Sequence, residues 1–588
     1  MEKERRNNLR RVIHECRKLL EDEISKRLAY YGVMADGSFL DLAKLPHLTA
    51  EGWRTRQRIE QAIEKEMLGK LTKSEAVKRY IHHVAFTYLN RFAALRAMEV
   101  RGLLKKETII RRDDYGGRSL RERGITESNP HLTPEHVLKE SLIQAFQEVG
   151  EEIKVLFDMN NEYSLVFPET RACLELIRLL TEEVTEDDWQ QDDVIGWIYQ
   201  YFNSEARKEF RKARRKPRAD DIPVINQFYT PDWIVKALVD NTLGRLWFDM
   251  HPDSKIKEIC TYFVPLKERS PEREVKRVRD IRVLDPACGS GHFLVYAFDL
   301  LYHMYLEDEP GTPLSEVPAL ILENNLFGID IDLRSVQLAA LSLYLKAKTY
   351  NPSLKIRGMN LVCADVRIAD SEKRLEFLKR FEDDLALQHI FARLFEELAY
   401  TYEIGSLLKV RVRFERLFQE RVSEKGRQAR LSLPITGQSK FSVKGLTGQT
   451  KFAFNKSQES SEGSLTLVIP KERTIEEMLD ELSSFERESI EAQDMGRLLF
   501  ATEAEKSVGL LSLLSQKYDV EVMNPPYGDM SPKTKEYLRR HYPRTHYDYY
   551  AAFIEQAVNL CDLNGYIGML TGRTFMLLKW FEKVRTEI

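Results

Sequence analysis

Apolar residues recur at spacings of three and four over most of residues 1 to about 215. Clear examples are RRVIHECRKLLEDEISKRLAYYG, TYLNRFAALRAMEVRGLL and DDVIGWIYQYFNSEARKEF. This spacing places the apolar side chains on one face of a helix. A polar stretch at about 111–134 interrupts the pattern. We therefore predict a helical amino-terminal region, 1–215, made of two groups of helices.

From about residue 222 the pattern changes, because short apolar runs begin to alternate with helical stretches. The predicted strands lie at 281–284, 326–330, 360–365, 518–523 and 565–570. Strands that alternate with helices are typical of an α/β fold with a parallel, doubly wound sheet. We therefore predict this fold class, with its first half at 222–370 and its second half at 516–588.

About 160 residues separate the third predicted strand from the fourth, far more than the few residues of an ordinary connection. Residues 372–425 and 474–516 have helical patterns. Residues 432–470 instead show short alternating runs with Gly, Ser and Gln. The interruption at 371–515 is predicted to be an inserted subdomain with helices and a β-hairpin or flexible arm.

Composition adds few constraints. The hydrophobic share of 43% and the charged share of 31% suit a charge-rich globular protein. No apolar run approaches the roughly 18 residues of a membrane span, and the charged amino terminus lacks a signal peptide's apolar centre. The six cysteines lie far apart without a CxxC pair. We expect a cytoplasmic protein with reduced thiols, no metal site and no membrane association.

A basic run at 207–218 contains eight Lys and Arg residues and one Glu, although the net charge of the chain is −3. For an isolated run of this kind, a solvated helix face is the favoured interpretation. Contact with phosphates becomes the stronger one only if other residues implicate nucleic acid.

A glycine turn, Asp285-Pro-Ala-Cys-Gly-Ser-Gly291, follows the first predicted strand and opens a helix. Glycines at such a turn let the backbone approach a ligand closely. Dinucleotide-binding proteins share this feature, so the turn alone is weakly specific. Asp330 and Asp365 end the next two strands above the same cleft, where carboxylates suit ribose hydroxyls and an adenine amine. For Asp332, just before a helix, a capping role is favoured.

The sequence Asn524-Pro525-Pro526-Tyr527 follows the fourth predicted strand. Two successive prolines fix the loop and remove two N–H donors. The Asn524 side-chain oxygen and a proline carbonyl can then accept both hydrogens of one amino group. Tyr527 offers an aromatic face to a planar target, a contact that contributes about 1–3 kcal/mol with a base. This arrangement predicts alkylation of an amine by orientation and polarisation.

Thr230 and Pro231 precede a predicted amphipathic helix, DWIVKALVDNTLGRLW. Thr230 suits a helix cap, with Pro231 at the first helical position. A lid near the methionine end of a cofactor is an equally good interpretation. The spacing does not distinguish the two.

With these residues assembled, the chain resembles amino-group DNA methyltransferases, and more specifically the adenine methyltransferases of the BREX phage-exclusion system. The matching stretches are TYLNRFAALRAMEV, IGWIYQYFNSE, QFYTPDWIVKALVDNTLGRLW and DPACGSGHFLVYAFDLLYHMY. The resemblance implies a Rossmann-like sheet that binds S-adenosyl-L-methionine. The residues it implies for cofactor binding are Phe228, Thr230, Pro231, Asp285, Ala287, Gly289, Gly291, Asp330, Ile331 and Asp365, and the catalytic loop is Asn524, Pro525, Pro526 and Tyr527.

The resemblance further implies methylation of the exocyclic amine of adenine in double-stranded DNA, with the base flipped out of the helix. It implies a role in phage defence or restriction-modification beside other defence proteins. Such enzymes carry two more strands and a target-recognition domain, neither of which follows residue 570 in this sequence. We therefore expect a truncated chain, a split subunit or a partial sequence that binds the cofactor but methylates DNA poorly or not at all by itself. The expected partners besides DNA are other phage-defence proteins or a separate recognition subunit.

Two alternatives remain open from the sequence. The same catalytic loop also serves methyltransferases that act on RNA amines or protein glutamine, although those chains tend to be short. A second alternative is a non-enzymatic DNA-binding or assembly component of a defence complex. The intact Asp330, Asp365 and Asn524–Tyr527 count against this second alternative, and the missing end counts for it.

Overall fold

The computed structural model describes most of the chain. Its described residues are 2–67, 71–213, 221, 224, 230–265, 274–366, 371–398, 404–409, 471–491, 495–528 and 530–587. Phe228, the predicted alternating runs at 432–470 and the last part of the basic run, 214–218, lie outside these residues.

The amino-terminal part is helical, as predicted. Its helices are α1 (Lys3–Tyr30), α2 (Ala50–Met67), α3 (Lys73–Val100), α4 (Leu120–Ser128), α5 (Pro134–Gly150), α6 (Lys154–Phe157), α7 (Thr170–Glu182), α8 (Glu186–Trp189), α9 (Val194–Phe202) and α10 (Ser204–Ala213). The start of α3 is fixed by a capping box, in which Thr72 and Glu75 bind each other's backbone amides. The middle of α3 is buried on nearly all sides, so this helix forms the centre of the amino-terminal part.

Five parallel strands form one sheet. They are β1 (Val283–Asp285), β2 (Leu326–Asp330), β3 (Asn360–Cys363), β4 (Tyr518–Met523) and β5 (Cys561–Met569). Their order in the sheet is β3-β2-β1-β4-β5. The α/β class with a parallel sheet is thus confirmed. β5 begins four residues earlier than predicted, and β1 begins two residues later and is one residue shorter than predicted.

The remaining helices surround this sheet. They are α11 (Asp232–Val239), α12 (Arg245–Met250), α13 (His292–Asp308), α14 (Val317–Leu320), α15 (Leu333–Tyr350), α16 (Ser371–Lys379), α17 (Leu385–Glu397), α18 (Lys471–Glu491), α19 (Met495–Leu514), α20 (Pro532–His541), α21 (Tyr549–Leu560), α22 (Thr574–Leu577) and α23 (Glu582–Glu587). A π-helical segment, Asp240–Gly244, joins α11 to α12.

Successive strand residues point to opposite faces of the sheet and enter different apolar cores. Val283 and Leu326 belong to a core that continues through α13 and α15 into the amino-terminal helices. Leu284 and Phe327 instead join a core on the other face. The sheet is therefore the middle of three layers.

The described helices of the predicted insertion build that second core. A cluster of phenylalanine rings lies there. The ring centroid of Phe377 is 5.0–6.3 Å from those of four others, Phe391, Phe395, Phe485 and Phe500. The same core includes α21 and the buried strand residues of this face. Helices α16–α19, within 371–398, 471–491 and 495–515, therefore cover one face of the sheet.

Candidate active site

The two predicted motifs of the site lie at one edge of the sheet. In a parallel sheet the carboxyl ends of all strands lie at the same edge, and ligands bind where the strand order reverses. Here that point lies between β1 and β4, which pair directly. Asp285 ends β1, and Asn524 follows β4 immediately. The two predicted motifs, far apart in the chain, are thus adjacent in the fold.

The glycine turn is tight and partly held by β2. Gly289 and Gly291 have φ values of 52° and 81°, in the left-handed region that favours glycine. A side chain on Gly291 would lie 3.1 Å from the Ala339 backbone of α15, whereas nothing lies within 4 Å of one on Gly289. Gly291 therefore allows close packing of helices, and Gly289 faces open space.

Asp285 is fully buried at the start of this turn. Its Oδ1 accepts a hydrogen bond from the Ala287 amide at 3.1 Å. Its Oδ2 is buried without a hydrogen-bond partner among the described residues. Burial raises the pKa of this carboxyl well above its usual range. Asp285 Oδ2 is thus a buried polar atom that a bound ligand could satisfy.

Asp330 lies beside the glycine turn. Its Oδ2 accepts from the Gly289 amide at 2.9 Å, and its Oδ1 accepts from the Asp332 amide at 2.8 Å. Burial raises the pKa of Asp330 to about 6, and these amides oppose the shift. Asp332 caps α15 through the Arg334 amide and pairs with the Arg334 side chain, as the capping interpretation predicts.

Ile331 and Asp365 line a cavity of about 120 Å³ at the ends of β2 and β3. The opposite wall comes from the amino-terminal helices and includes Lys65 and His83. Burial lowers the pKa of His83 well below its usual range, so this wall presents a neutral imidazole. The cavity is therefore shared between the sheet and the helical region.

The loop after β4 is held by its neighbours. Asn524 Nδ2 donates to Thr230 Oγ1 at 3.2 Å. The Tyr527 hydroxyl lies within hydrogen-bonding reach of Asn524 Oδ1, at 3.2 Å, and of the Leu570 carbonyl. Pro525 is buried and Pro526 is half-buried. Because the nitrogen of the Asn524 amide binds Thr230, its oxygen is the atom left for an incoming donor.

Thr230 does not cap the following helix. α11 begins at Asp232, and Pro231 occupies the cap position without a side-chain hydrogen bond. Pro231 is therefore not the first helical residue, and Thr230 contacts the β4 loop instead. Of the two interpretations of this segment, the capping one is wrong.

The aromatic ring of Tyr527 packs near that of Tyr550, with centroids 5.8 Å apart at 35°. Burial raises the pKa of Tyr527 to about 12, and Asp548 contributes. The Tyr527 hydroxyl therefore stays protonated as a donor. Its ring is half-buried at the rim of the site.

Several supporting residues escaped the sequence analysis. His292 opens α13 and forms a hydrogen bond with the Thr230 backbone, which links the glycine turn to the segment before α11. Tyr199 from α9 donates to Asp332 Oδ2 at 2.8 Å. Ser406 Oγ donates to the Pro286 carbonyl at 2.7 Å. The sequence signal for Tyr199 and His292 is that each lies in a stretch that carries the resemblance, IGWIYQYFNSE and DPACGSGHFLVYAFDLLYHMY. That signal assigned neither residue a role.

Comparisons with known proteins found similarity to DNA methyltransferases. Residues 324–588 match the family described as Eco57I restriction-modification methylase. Residues 267–364 match the DNA-methyltransferase domain of MmeI. Adenine-specific methyltransferase BrxX from Escherichia coli O9:H4 (strain HS) is 26% identical over 98% of this chain and 47% of that protein. The predicted resemblance is confirmed.

Adenine-specific methyltransferase PglX from Lacticaseibacillus casei (strain Zhang) is also 26% identical, over 98% of this chain and 47% of its own length. The chain therefore spans about half the length of these curated relatives. Among solved structures, the DrdV–DNA complex aligns with all of this chain and 38% of its own, at 12% identity and a TM-score of 0.41. Within the described residues, no helix combines the length and apolar character needed to cross a membrane.

Proposed function

We propose that this chain transfers a methyl group from S-adenosyl-L-methionine to the exocyclic amine of adenine in DNA. The observation that carries the proposal is the orientation of the Asn524 amide, whose nitrogen donates to Thr230 and whose oxygen is left as an acceptor. An amine donor bound there meets a fixed acceptor at the carboxyl edge of the sheet. Fixed acceptors act by orientation and need no covalent intermediate.

The catalytic role belongs to Asn524 and the two prolines after it. Asn524 Oδ1 and the Pro525 carbonyl accept the two hydrogens of the target amine. A carbonyl oxygen has two lone pairs, so the contact from the Tyr527 hydroxyl leaves Asn524 Oδ1 able to accept again. Holding both hydrogens leaves the nitrogen lone pair directed at the methyl donor.

The cofactor-binding residues fit an adenosyl group. Asp285 Oδ2 is buried without a hydrogen-bond partner among the described residues, and the space beside Gly289 is open. Asp330 would hold the ribose hydroxyls, and Ile331 and Asp365 would border the adenine, with Ala287 and Gly291 shaping the turn. Thr230, Pro231 and the undescribed Phe228 would lie near the methionine end. When bound, S-adenosyl-L-methionine supplies an electrophilic methyl group.

The names of the relatives support adenine as the target, because BrxX and PglX are both called adenine-specific methyltransferases. In duplex DNA the target base must leave the stack before its amine reaches Asn524. The half-buried Tyr527 would then stack on the flipped adenine. We further propose a role in phage defence or restriction-modification, with other defence proteins or a recognition subunit as partners.

The proposed organisation follows from this function. Residues 1–215 form the helical region, 222–370 the cofactor half of a Rossmann-like methyltransferase domain, 371–515 an insertion, and 516–588 the catalytic half. The sheet order β3-β2-β1-β4-β5 supports this division, since the insertion interrupts a sheet that resumes at β4.

Two substitutions test the proposal. Asp330→Ala should abolish calorimetric binding of S-adenosyl-L-methionine, because the ribose loses its acceptor. Asn524→Ala should keep cofactor binding but reduce transfer of labelled methyl groups to adenine in DNA by about 100-fold or more, the cost of removing one oriented polar group from a transition state.

Exposed residues of the same type provide matched controls. Asp253→Ala and Asn160→Ala change side chains that face solvent and should behave as wild type. If the wild-type chain bound no cofactor, the proposal of an assembly component would replace this one. If Asn524→Ala transferred methyl groups at the wild-type rate, the assigned mechanism would be wrong.

A further inference from the structure

The segment that follows the catalytic loop is strongly basic. Residues 531–547 contain five Lys and Arg residues and one Glu, in a chain whose net charge is −3. Most of this charge lies on α20. A concentration of one sign of charge in so short a segment creates a local field that attracts the opposite charge.

The helix that carries these charges is firmly fixed. Ser531 caps it through the Thr534 amide at 3.1 Å. Thr534 and Leu538 are buried against the second core. Just after the helix, the Tyr542 hydroxyl lies 2.7 Å from the Leu407 carbonyl. One face of α20 is thus anchored, and its other face is held in a set position.

The basic residues lie on the outer face of α20. Lys533, Arg539 and Arg540 are exposed, and Lys535 is half-buried. Lys535 and Arg539 are one turn apart, about 6 Å along the axis. The exposed Glu536 lies 3.9 Å from Arg540, an ion pair that contributes little at the surface. The helix therefore carries four Lys and Arg residues and one Glu.

The helix α20 and the catalytic loop are both joined to α21, and the Tyr549 hydroxyl of α21 lies 3.5 Å from Thr534 Oγ1 of α20. Tyr527 precedes α20 by only five residues, and the Gly528 amide donates to Asp548 at 3.2 Å, just before α21. The Tyr527 ring also packs on Tyr550 of α21. The loop, α20 and α21 therefore form one unit, and α20 is held a few residues from the catalytic loop.

We propose that the outer face of α20 binds the phosphate backbone of duplex DNA beside the target nucleotide. This inference rests on the proposed function, because it takes DNA as the substrate. Lys and Arg side chains at the phosphates fix the register and orientation of a duplex without reading its bases. The α20 cations would hold the strand while the adenine is turned out towards Asn524.

The test uses the full chain with four cations neutralised: Lys533→Gln, Lys535→Gln, Arg539→Gln and Arg540→Gln. Glutamine keeps the helix propensity close to that of Lys and Arg. Binding to a short, labelled, mixed-sequence duplex is followed by fluorescence anisotropy between about 50 and 200 mM salt. Log affinity falls with log salt by about 0.9 for each phosphate contact. Loss of four contacts should therefore make the salt dependence shallower, reducing the magnitude of the slope by roughly 3 to 4.

A matched variant removes the same number of charges elsewhere. Lys18→Gln, Lys26→Gln, Lys44→Gln and Lys105→Gln lie on exposed parts of the amino-terminal region and should leave the slope unchanged. An α20 variant with the wild-type slope would overturn the inference, as would an equal loss in both variants, which reports net charge alone.

Cofactor binding separates this outcome from failure of the proposed function. The α20 variant should bind S-adenosyl-L-methionine as wild type, which also shows that it is folded. A wild-type chain that binds neither cofactor nor DNA would refute the proposed function. A chain that binds both, with DNA affinity independent of α20, would refute only the inference made here.

Discussion

At the scale of single residues, the Asp330 carboxyl has opposing influences on its charge. Burial favours the protonated form, whereas the amides of Gly289 and Asp332 favour the carboxylate. The result is a pKa of about 6, above the usual value of an aspartate. A group with such a pKa changes its charge within the range in which proteins are ordinarily studied.

This pKa predicts that cofactor affinity depends on pH. Ribose hydroxyls need the carboxylate as an acceptor, so the charged form of Asp330 above pH 6 should bind and the protonated form should not. Below pH 6, the affinity for S-adenosyl-L-methionine should fall roughly tenfold per pH unit, because one proton must leave on binding. Calorimetry across about pH 5 to 8 measures the profile.

Asp330→Asn provides the control, because an amide cannot titrate in this range. The variant should bind weakly at every pH, without a bend near pH 6. A wild-type profile that stayed flat down to pH 5 would show that the charge on Asp330 does not matter for binding.

The role of a residue could be predicted from the sequence where its partners are its neighbours along the chain. Asp332 caps the helix that follows it, and its position just before a helical pattern was enough to say so. Tyr199 and Ser406 were assigned no role, because their partners Asp332 and Pro286 lie more than a hundred residues away in sequence. Glu521 is fully buried in β4 with a raised pKa, although YDVEVM suggested only a strand.

At the scale of elements, a buried ion cluster joins the helical region to the predicted insertion. Lys65 of α2 lies 2.6 Å from Glu162 and 2.6 Å from Glu503 of α19. Lys506 lies 2.9 Å from Glu503. Although burial opposes the charge, the two carboxylates raise the pKa of Lys65. The cluster fixes α2 against α19 next to the cavity that Asp365 lines.

Lys65→Met should therefore destabilise the fold. Removing the ammonium leaves Glu162 buried without its cation, and breaking a buried pair costs about 3–5 kcal/mol. We expect about 3 kcal/mol, the lower end of that range, because Lys506 still pairs with Glu503. Urea unfolding of the cofactor-free chain measures the change in free energy.

An exposed pair provides the comparison. Arg393→Met removes the cation from Glu396 where both side chains are about half exposed, and should cost less than about 1 kcal/mol. Equal costs for the two substitutions would mean that the buried cluster does not hold α2 against α19.

The elements themselves followed from local patterns, but their arrangement did not. Five strands appeared at the predicted places, because apolar runs and turn residues mark a strand within its own sequence. The position of the insertion was not predicted. Phe377 and Phe485 are about a hundred residues apart, and only the folded chain brings their rings to 5.2 Å.

At the scale of the whole molecule, one apolar core runs from α1 through α3, α9 and α15 to β4. It includes Leu9 near the amino terminus and Val522 beside the catalytic loop. The amino-terminal helices therefore do not end at a boundary with the sheet. They share side-chain packing with it and supply one wall of the cavity at the ends of β2 and β3.

This continuity predicts that a ligand in the cavity stabilises the amino-terminal helices. At a hundredfold excess over its dissociation constant, a ligand stabilises the folded state by about 2.7 kcal/mol. Binding of S-adenosyl-L-methionine should therefore slow amide hydrogen exchange in α3 around His83, which lines the cavity, as well as at the start of α15. α17 belongs to the other core and contributes no residue to this cavity, so its exchange should change less, and it serves as the control within the same sample. Protection confined to α15, with α3 unchanged, would mean that the helical region opens independently of the sheet and takes no part in holding the cofactor.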